Sequence, residues 1–154
     1  METFWIQVYN QRPLGDSIEK DLMAALFEVN FHSLCHQYGL DLAGIEPALA
    51  NLELIAAPGK IAPFILLNYR PHGVGPLIIY RWGEEEQKGA QFIRETRKRD
   101  CHPLIKDQLT KTREIFAVSL RPQQLKDLGL LLAYEVVRWA GAEGQGLVLG
   151  LDGI

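Results

Sequence analysis

Apolar residues fall along this chain in short runs of differing period, and the periods predict the elements. Phe4 to Tyr9 is rich in aromatic and β-branched residues and reads as a strand. Pro13 and Gly15 then turn the chain. Ile18, Leu22, Ala25, Leu26 and Val29 recur at helical spacing, which predicts a helix running to Tyr38. Asp16 with Glu19 three residues on fits a capping box at its start. Gly39 is the expected left-handed cap at its end, with Leu40 the apolar residue that follows.

Leu52, Leu54 and Ala56 alternate with Glu53 and Ile55, the pattern of a half-buried strand, which Pro58 and Gly59 end. Phe64 to Tyr69 and Leu77 to Trp82 are almost continuously apolar, so two strands that lie centrally in the sheet or are covered on both faces are predicted there. Pro71 to Pro76 joins them as a hairpin loop. Residues 84–99 read as a charged helix. Asp100 to Pro103 interrupts it, and Pro103 suits the first position of a short helix reaching about Lys111. Ile115 to Leu120 is another apolar strand. Pro122 opens a last helix, apolar around most of its circumference at Leu125, Leu128, Leu131, Leu132, Val136 and Trp139. Gly141, Gly144 and Gly146 release the chain into a final strand, Leu147 to Leu151. The last four residues read either as a strand turning toward a further segment beyond Ile154 or as a simple surface end.

Two β–α–β crossovers therefore frame a hairpin. This order predicts a single α+β domain over residues 1–154, a mixed β-sheet of about six strands packed against two main helices, the first and the last. The plan expected is ferredoxin-like, a split β–α–β arrangement, with the charged helical insertion at 84–111 added. A chain of 154 residues buries enough surface to need no disulfide or metal staple.

Charge changes the picture in one respect. The net charge is −3, which argues against a dedicated nucleic-acid binder. Residues 1–50 hold two basic and seven acidic groups, whereas residues 94–113 hold seven basic and three acidic ones. Within that basic stretch Arg94, Arg97 and Lys98 share one helical face and form the candidate interaction surface, for which an acidic protein partner is expected. Glu95–Arg99 and Glu84–Lys88, spaced four apart, support the competing reading of a solvated helix face. No aromatic residue interleaves with the basic ones, so no platform for base stacking is expected there.

Two cysteines make no disulfide framework, and Met-Glu-Thr-Phe-Trp has neither the basic nor the apolar part of a leader, so a reduced, cytoplasmic protein is expected. No membrane partner is expected, because the longest apolar run, Leu128 to Trp139, is broken by Gly129, Glu135 and Arg138.

Each cysteine is followed by a histidine, Cys35-His36 and Cys101-His102. His32 and His36 lie four apart, so a metal site completed by Cys35 and by Cys101 or His102 is conceivable. Adjacent side chains point apart, however, and the tight metal-ligand spacings are missing. Phe31, Leu34, Cys35 and Tyr38 form an apolar face, which favours a buried structural thiol at Cys35. Cys101 precedes the helix at Pro103 and follows Arg97, Lys98 and Arg99, a setting that lowers a thiol pKa. Its competing reading is a plain capping turn formed by Asp100, Cys101 or His102.

The loop Arg70 to Pro76 holds His72 and two glycines, and it matches no phosphate-binding or dinucleotide pattern. Glu135 and Arg138, one turn apart, read as a surface pair or as a buried acid with its clamp. No hydrolase signature and no cofactor motif stands in the sequence. The function expected is that of a non-catalytic protein-interaction, assembly or regulatory factor. The alternatives are a small Cys/His-dependent enzyme or metal-binding protein, and a small-molecule binder at the 70–76 loop.

Overall fold

The computed structural model describes residues 3–39, 49–50, 52–57, 62–69 and 75–150. In chain order the elements are strand β1 (Phe4–Asn10), helices α1 (Ile18–Glu28) and α2 (Phe31–Gln37), and strands β2 (Glu53–Ala57), β3 (Phe64–Asn68) and β4 (Leu77–Gly83). Helices α3 (Gln87–Arg97) and α4 (Pro103–Thr110) follow, then β5 (Glu114–Leu120), a 3-10 turn (Pro122–Lys126), α5 (Leu128–Gly144) and β6 (Gly146–Leu149). No helix among the described residues is long and apolar enough to cross a membrane.

The six strands form one sheet in the order β2-β3-β4-β5-β1-β6. Every pairing is antiparallel, which corrects the expected mixed sheet. The crossovers are present, but each returns its strand one place further over. β5 and β6 run the same way on either side of β1, and β4 and β1 run the same way on either side of β5. Like-directed strands are thus always separated by an opposed one. The hairpin of β3 and β4 has the register Phe64↔Tyr80 to Leu67↔Leu77. Residues 70–74 of its loop, including His72, lie outside the described residues, as do Leu40, Pro58, Gly59 and the terminal segment 151–154.

The first helix does not run to Tyr38. It stops at Glu28, and a second helix starts at Phe31. Val29 takes an extended conformation, and the Asn30 side chain accepts from the Ser33 backbone N–H at 3.1 Å, the signature of a helix start. The break resets the helical phase and turns Phe31 and Cys35 into the core. His32 and His36 are left exposed. The start of α1 also differs. Ser17 is its first flanking residue, and the Ser17 hydroxyl donates to Asp21 at 3.1 Å instead of capping the backbone. Gly39 takes the expected left-handed conformation, with φ 71°.

The last helix begins later than Pro122. The 3-10 turn comes first, and Asp127 then caps α5 by accepting from the Gly129 N–H at 2.7 Å. The same oxygen accepts the Tyr69 hydroxyl at 2.9 Å, tying the end of β3 to the helix start. At the other end Gln145, not a glycine, takes the left-handed position with φ 53°. Gly144 and Gly146 serve a different need, because a Cβ at either would collide with the buried Asn10 side chain.

Strand alternation sends Ile6, Val8, Leu67, Leu77, Ile79, Phe116, Val118 and Leu120 to one face. There they meet Ile18, Leu22 and Leu26 of α1, Phe31 and Cys35 of α2, and Leu132, Val136 and Val137 of α5. Three helices, instead of two, close this face. Burying each such aliphatic side chain is worth about 1.5–3 kcal/mol, so this layer dominates the fold. The other face carries a smaller core of Tyr9, Ile93, Leu109 and Ile115, with Trp82, Phe92, Cys101 and Ile105 packed against it. That core is the underside of the insertion, α3 and α4.

Candidate functional site

The insertion covers one end of the second face. A Cβ on Gly89 would sit on the Gly83 carbonyl oxygen, so α3 rests backbone to backbone on the end of β4. Beyond that point no helix among the described residues covers the second face. Of the two expectations for β3 and β4, a central place in the sheet agrees with the strand order, and cover on both faces does not hold: their burial alternates, with Ile65, Leu67, Leu77 and Ile79 buried while Phe64, Leu66, Ile78 and Tyr80 are only half-buried.

The open face is aromatic. Trp5 on β1 is 38% exposed and Ile55 on β2 is 42% exposed. The Tyr80 ring lies 5.7 Å from that of Trp5, 6.3 Å from Phe64 and 5.6 Å from Trp82, and Trp82 meets Phe92 edge-on at 4.9 Å. Trp5 and Tyr80 belong to strands separated by β5, hence about 10 Å apart. They meet because β5 places Ala117 and Ser119 opposite Tyr80 and Trp5, and these small side chains let the rings close over the strand between. Ala117 is consequently fully buried. Among the strand positions projecting on this side, Glu53 at the edge is the one charged residue. The result is a broad apolar surface bordered by the insertion, a kind of surface that a monomeric soluble protein seldom leaves without a partner.

The three basic residues of α3 are not equivalent. Arg97 is held inside the structure: its Nε donates to the Thr112 carbonyl at 2.8 Å and its Nη2 pairs with Glu84 at 2.8 Å. Arg113 reaches the same Glu84 oxygen at 3.4 Å. Arg94 and Lys98 are exposed and make no salt bridge among the described residues. Glu84 precedes the helix, so the expected Glu84–Lys88 pair does not form, and Glu95 accepts from Gln91 at 3.3 Å. Arg99 stands beside Tyr9. Burial raises the Tyr9 phenol pKa, an effect that hydrogen bonding to the Arg99 guanidinium partly offsets.

The cysteine–histidine pairs do not converge. Cys35 is sealed in the large core and Cys101 packs on the small one, so the sheet lies between them. Burial pushes the Cys35 thiol pKa up, away from reactivity. Cys101 is half-buried, with its sulfur 3.9 Å from the Arg99 carbonyl oxygen. His102 caps α4, its Nδ1 accepting from the Leu104 N–H at 3.2 Å, with Pro103 at the first helical position as expected. Among the described residues no group of three or more His, Cys, Asp or Glu side chains is placed to hold a metal ion.

A polar cleft of about 320 Å³ lies where the β1–α1 loop meets the ends of β4 and β5, walled by Asp16, Arg81, Glu84, Arg113 and Glu114. Glu114 is 3% exposed. Its two oxygens accept from the Leu14 N–H at 2.7 Å and from Arg81 Nε at 2.9 Å. Arg81 also donates to the Leu14 and Gly15 carbonyls and lies over the Phe116 ring. Burial raises the Glu114 pKa, against the opposing pull of the Leu14 N–H and Arg81. Shifted carboxylates in clefts are candidate acid–base catalysts. Here both oxygens are engaged in fixing a loop, and the arrangement is a structural clamp.

No protein family, curated protein or solved structure matches the chain.

Proposed function

We propose that this is a non-catalytic cytoplasmic protein that works by binding another protein, with the open aromatic face of its sheet as the docking surface. The observation that carries the reading is the cluster Trp5, Phe64, Tyr80 and Trp82, assembled from three strands and covered only at the insertion end. Large rings that shield one another laterally and present one side to solvent are the usual anchors of protein interfaces. Residues 94–113 carry seven basic and three acidic groups beside that face, so the partner is an acidic protein whose apolar side chains pack on the rings. Arg94 and Lys98 are the basic residues left to meet it, and Arg97 is a scaffold residue. A single-stranded nucleic acid is the competing partner, since Arg94 and Lys98 also suit phosphates, and the net charge of −3 weighs against it. We read the order β4-β5-β1-β6, with its two crossovers, as a ferredoxin-like unit extended at one edge by β2 and β3.

The test is enrichment of binding proteins from native extract with wild-type protein, a Trp5→Ala/Tyr80→Ala variant and an Arg94→Glu/Lys98→Glu variant. One acidic protein held in stoichiometric amount by the wild type and released by both variants, each with an unchanged melting temperature, is the result expected. Retention of the same protein by both variants overturns the proposal. So does quenching of tryptophan fluorescence by oligo(U), or a concentration-dependent dimer that the aromatic variant abolishes.

A further inference from the structure

On the helical side of the molecule, away from the open sheet face, α2 and α5 do not close completely. A cleft of about 400 Å³ runs between Leu34 of α2 and Leu130, Leu131 and Tyr134 of α5. Leu34 and Glu135 also wall a second cleft of about 520 Å³ that continues toward Trp139. The two form one trough along α5, and from Leu130 to Trp139 that helix rises about 13 Å. Both clefts fall in the size range of small-ligand sites; the first is lined mainly by apolar side chains, and the second adds Glu28, Asn30, Ser33 and Arg138.

Glu135 stands at the junction. Its side chain is 15% exposed, whereas that of its partner Arg138 is 67% exposed. Both Arg138 bonds, from Nε at 2.9 Å and Nη2 at 2.5 Å, go to the same oxygen, Oε2. Oε1 accepts no hydrogen bond among the described residues. Oε1 is not shut off from solvent, so it is open to a donor entering the cleft. Among the described residues no cationic side chain walls the 400 Å³ cleft, where Asp127 adds a second carboxylate.

We propose that this trough binds a small amphiphile: an unbranched apolar chain lying along Leu34, Leu131 and Tyr134, ending in an amine that donates to Glu135 Oε1. A volume of about 400 Å³ is that of a small-molecule site, which an eight-carbon amine suits. The proposal is independent of the aromatic face, and its test does not involve that face.

The probe is n-octylamine, compared with n-octanol and n-octanoate by calorimetry and by amide chemical shifts of the labelled protein. Octylamine is expected to bind most tightly, with shifts confined to residues near 34 and along 130–139. Glu135→Gln, an isosteric change, should lower its affinity roughly tenfold, to that of the alcohol. Arg138→Gln frees Oε2 and should strengthen binding, the opposite sign. Octanoate binding as well as the amine, shifts elsewhere, or an affinity unmoved by either substitution overturns the proposal. Preference of the trough for a lysine-bearing helical peptide over octylamine overturns it as well.

Discussion

The same strands build two unlike surfaces. On β5, Phe116, Val118 and Leu120 point into the layer under α1, α2 and α5, while Ile115, Ala117 and Ser119 point to the other side. On β4, Leu77 and Ile79 are fully enclosed, while Ile78 and Tyr80 are half-buried. The enclosed face is aliphatic and interlocks with helices. The open face is aromatic, and its rings cover small residues and one another. Helices hold the first surface shut from above, whereas the second is held from the side. A side chain of the same size therefore contributes differently to stability on the two surfaces.

Truncation should expose the difference most strongly. Leu132→Ala, in the enclosed layer, is expected to cost about 2–5 kcal/mol, read as a fall in urea midpoint. Leu66→Ala, on the open face, should cost less than about 1 kcal/mol. Equal losses would mean that the open face is packed as tightly as the closed one.

The polar end of the enclosed face gives the next largest effect, and a pH-dependent one. Arg81→Met strands the Glu114 carboxylate. Removing one partner of a buried pair costs about 3–5 kcal/mol, and the 21% exposure of the Arg81 side chain lowers the expectation to about 2 kcal/mol at pH 8. The loss should shrink as pH falls, because the stranded carboxylate then takes up a proton. In the wild-type protein the Glu114 pKa lies above its ordinary value of 4.5. The folded state then binds the proton more tightly than the unfolded one. The stability this group contributes is therefore complete below 4.5 and declines as pH rises through the raised value. Glu114→Gln should remove that slope from the pH–stability curve.

The smallest effect is a rate. Cys35 is fully enclosed and Cys101 half-buried, so a thiol reagent should label Cys101 in native protein and Cys35 only on unfolding. Equal labelling would show that the enclosed face opens readily.

Much of the fold was legible because local signals agreed with the tertiary outcome. The runs at 64–69 and 77–82 predicted the β3–β4 hairpin, and Pro103 marked the start of α4. The break between α1 and α2 was missed because the apolar spacing passes through it without Gly or Pro. Its one signal was Asn30, a good cap residue. Continuous apolarity in β3 and β4 was read as a central place in the sheet or burial on both faces, and a half-buried aromatic face beside a buried aliphatic one writes the same pattern. The aromatic cluster was out of reach for another reason. Trp5, Phe64 and Tyr80 are far apart in sequence, and only the strand order, with Ala117 and Ser119 between, unites them. Aromatic residues at alternate positions 80 and 82 were the local trace of it. The basic face of α3 was legible as charge, but not as geometry, since Arg97 turns inward to Thr112.

The central place of β1 has a consequence during synthesis. This strand leaves the ribosome well before its neighbours, which are β5, from Glu114, and β6, ending at Leu149. At translation speeds of about 5–20 residues per second, Ile6 and Val8 wait roughly ten seconds for the backbone that will flank them. The α1–α2 pair and the β2–β3–β4 meander can form in the meantime, but the sheet cannot be joined across its middle until the last quarter of the chain has emerged. A circular permutant that begins at β5, and so carries β1 directly after β6, should shorten that interval and collapse sooner.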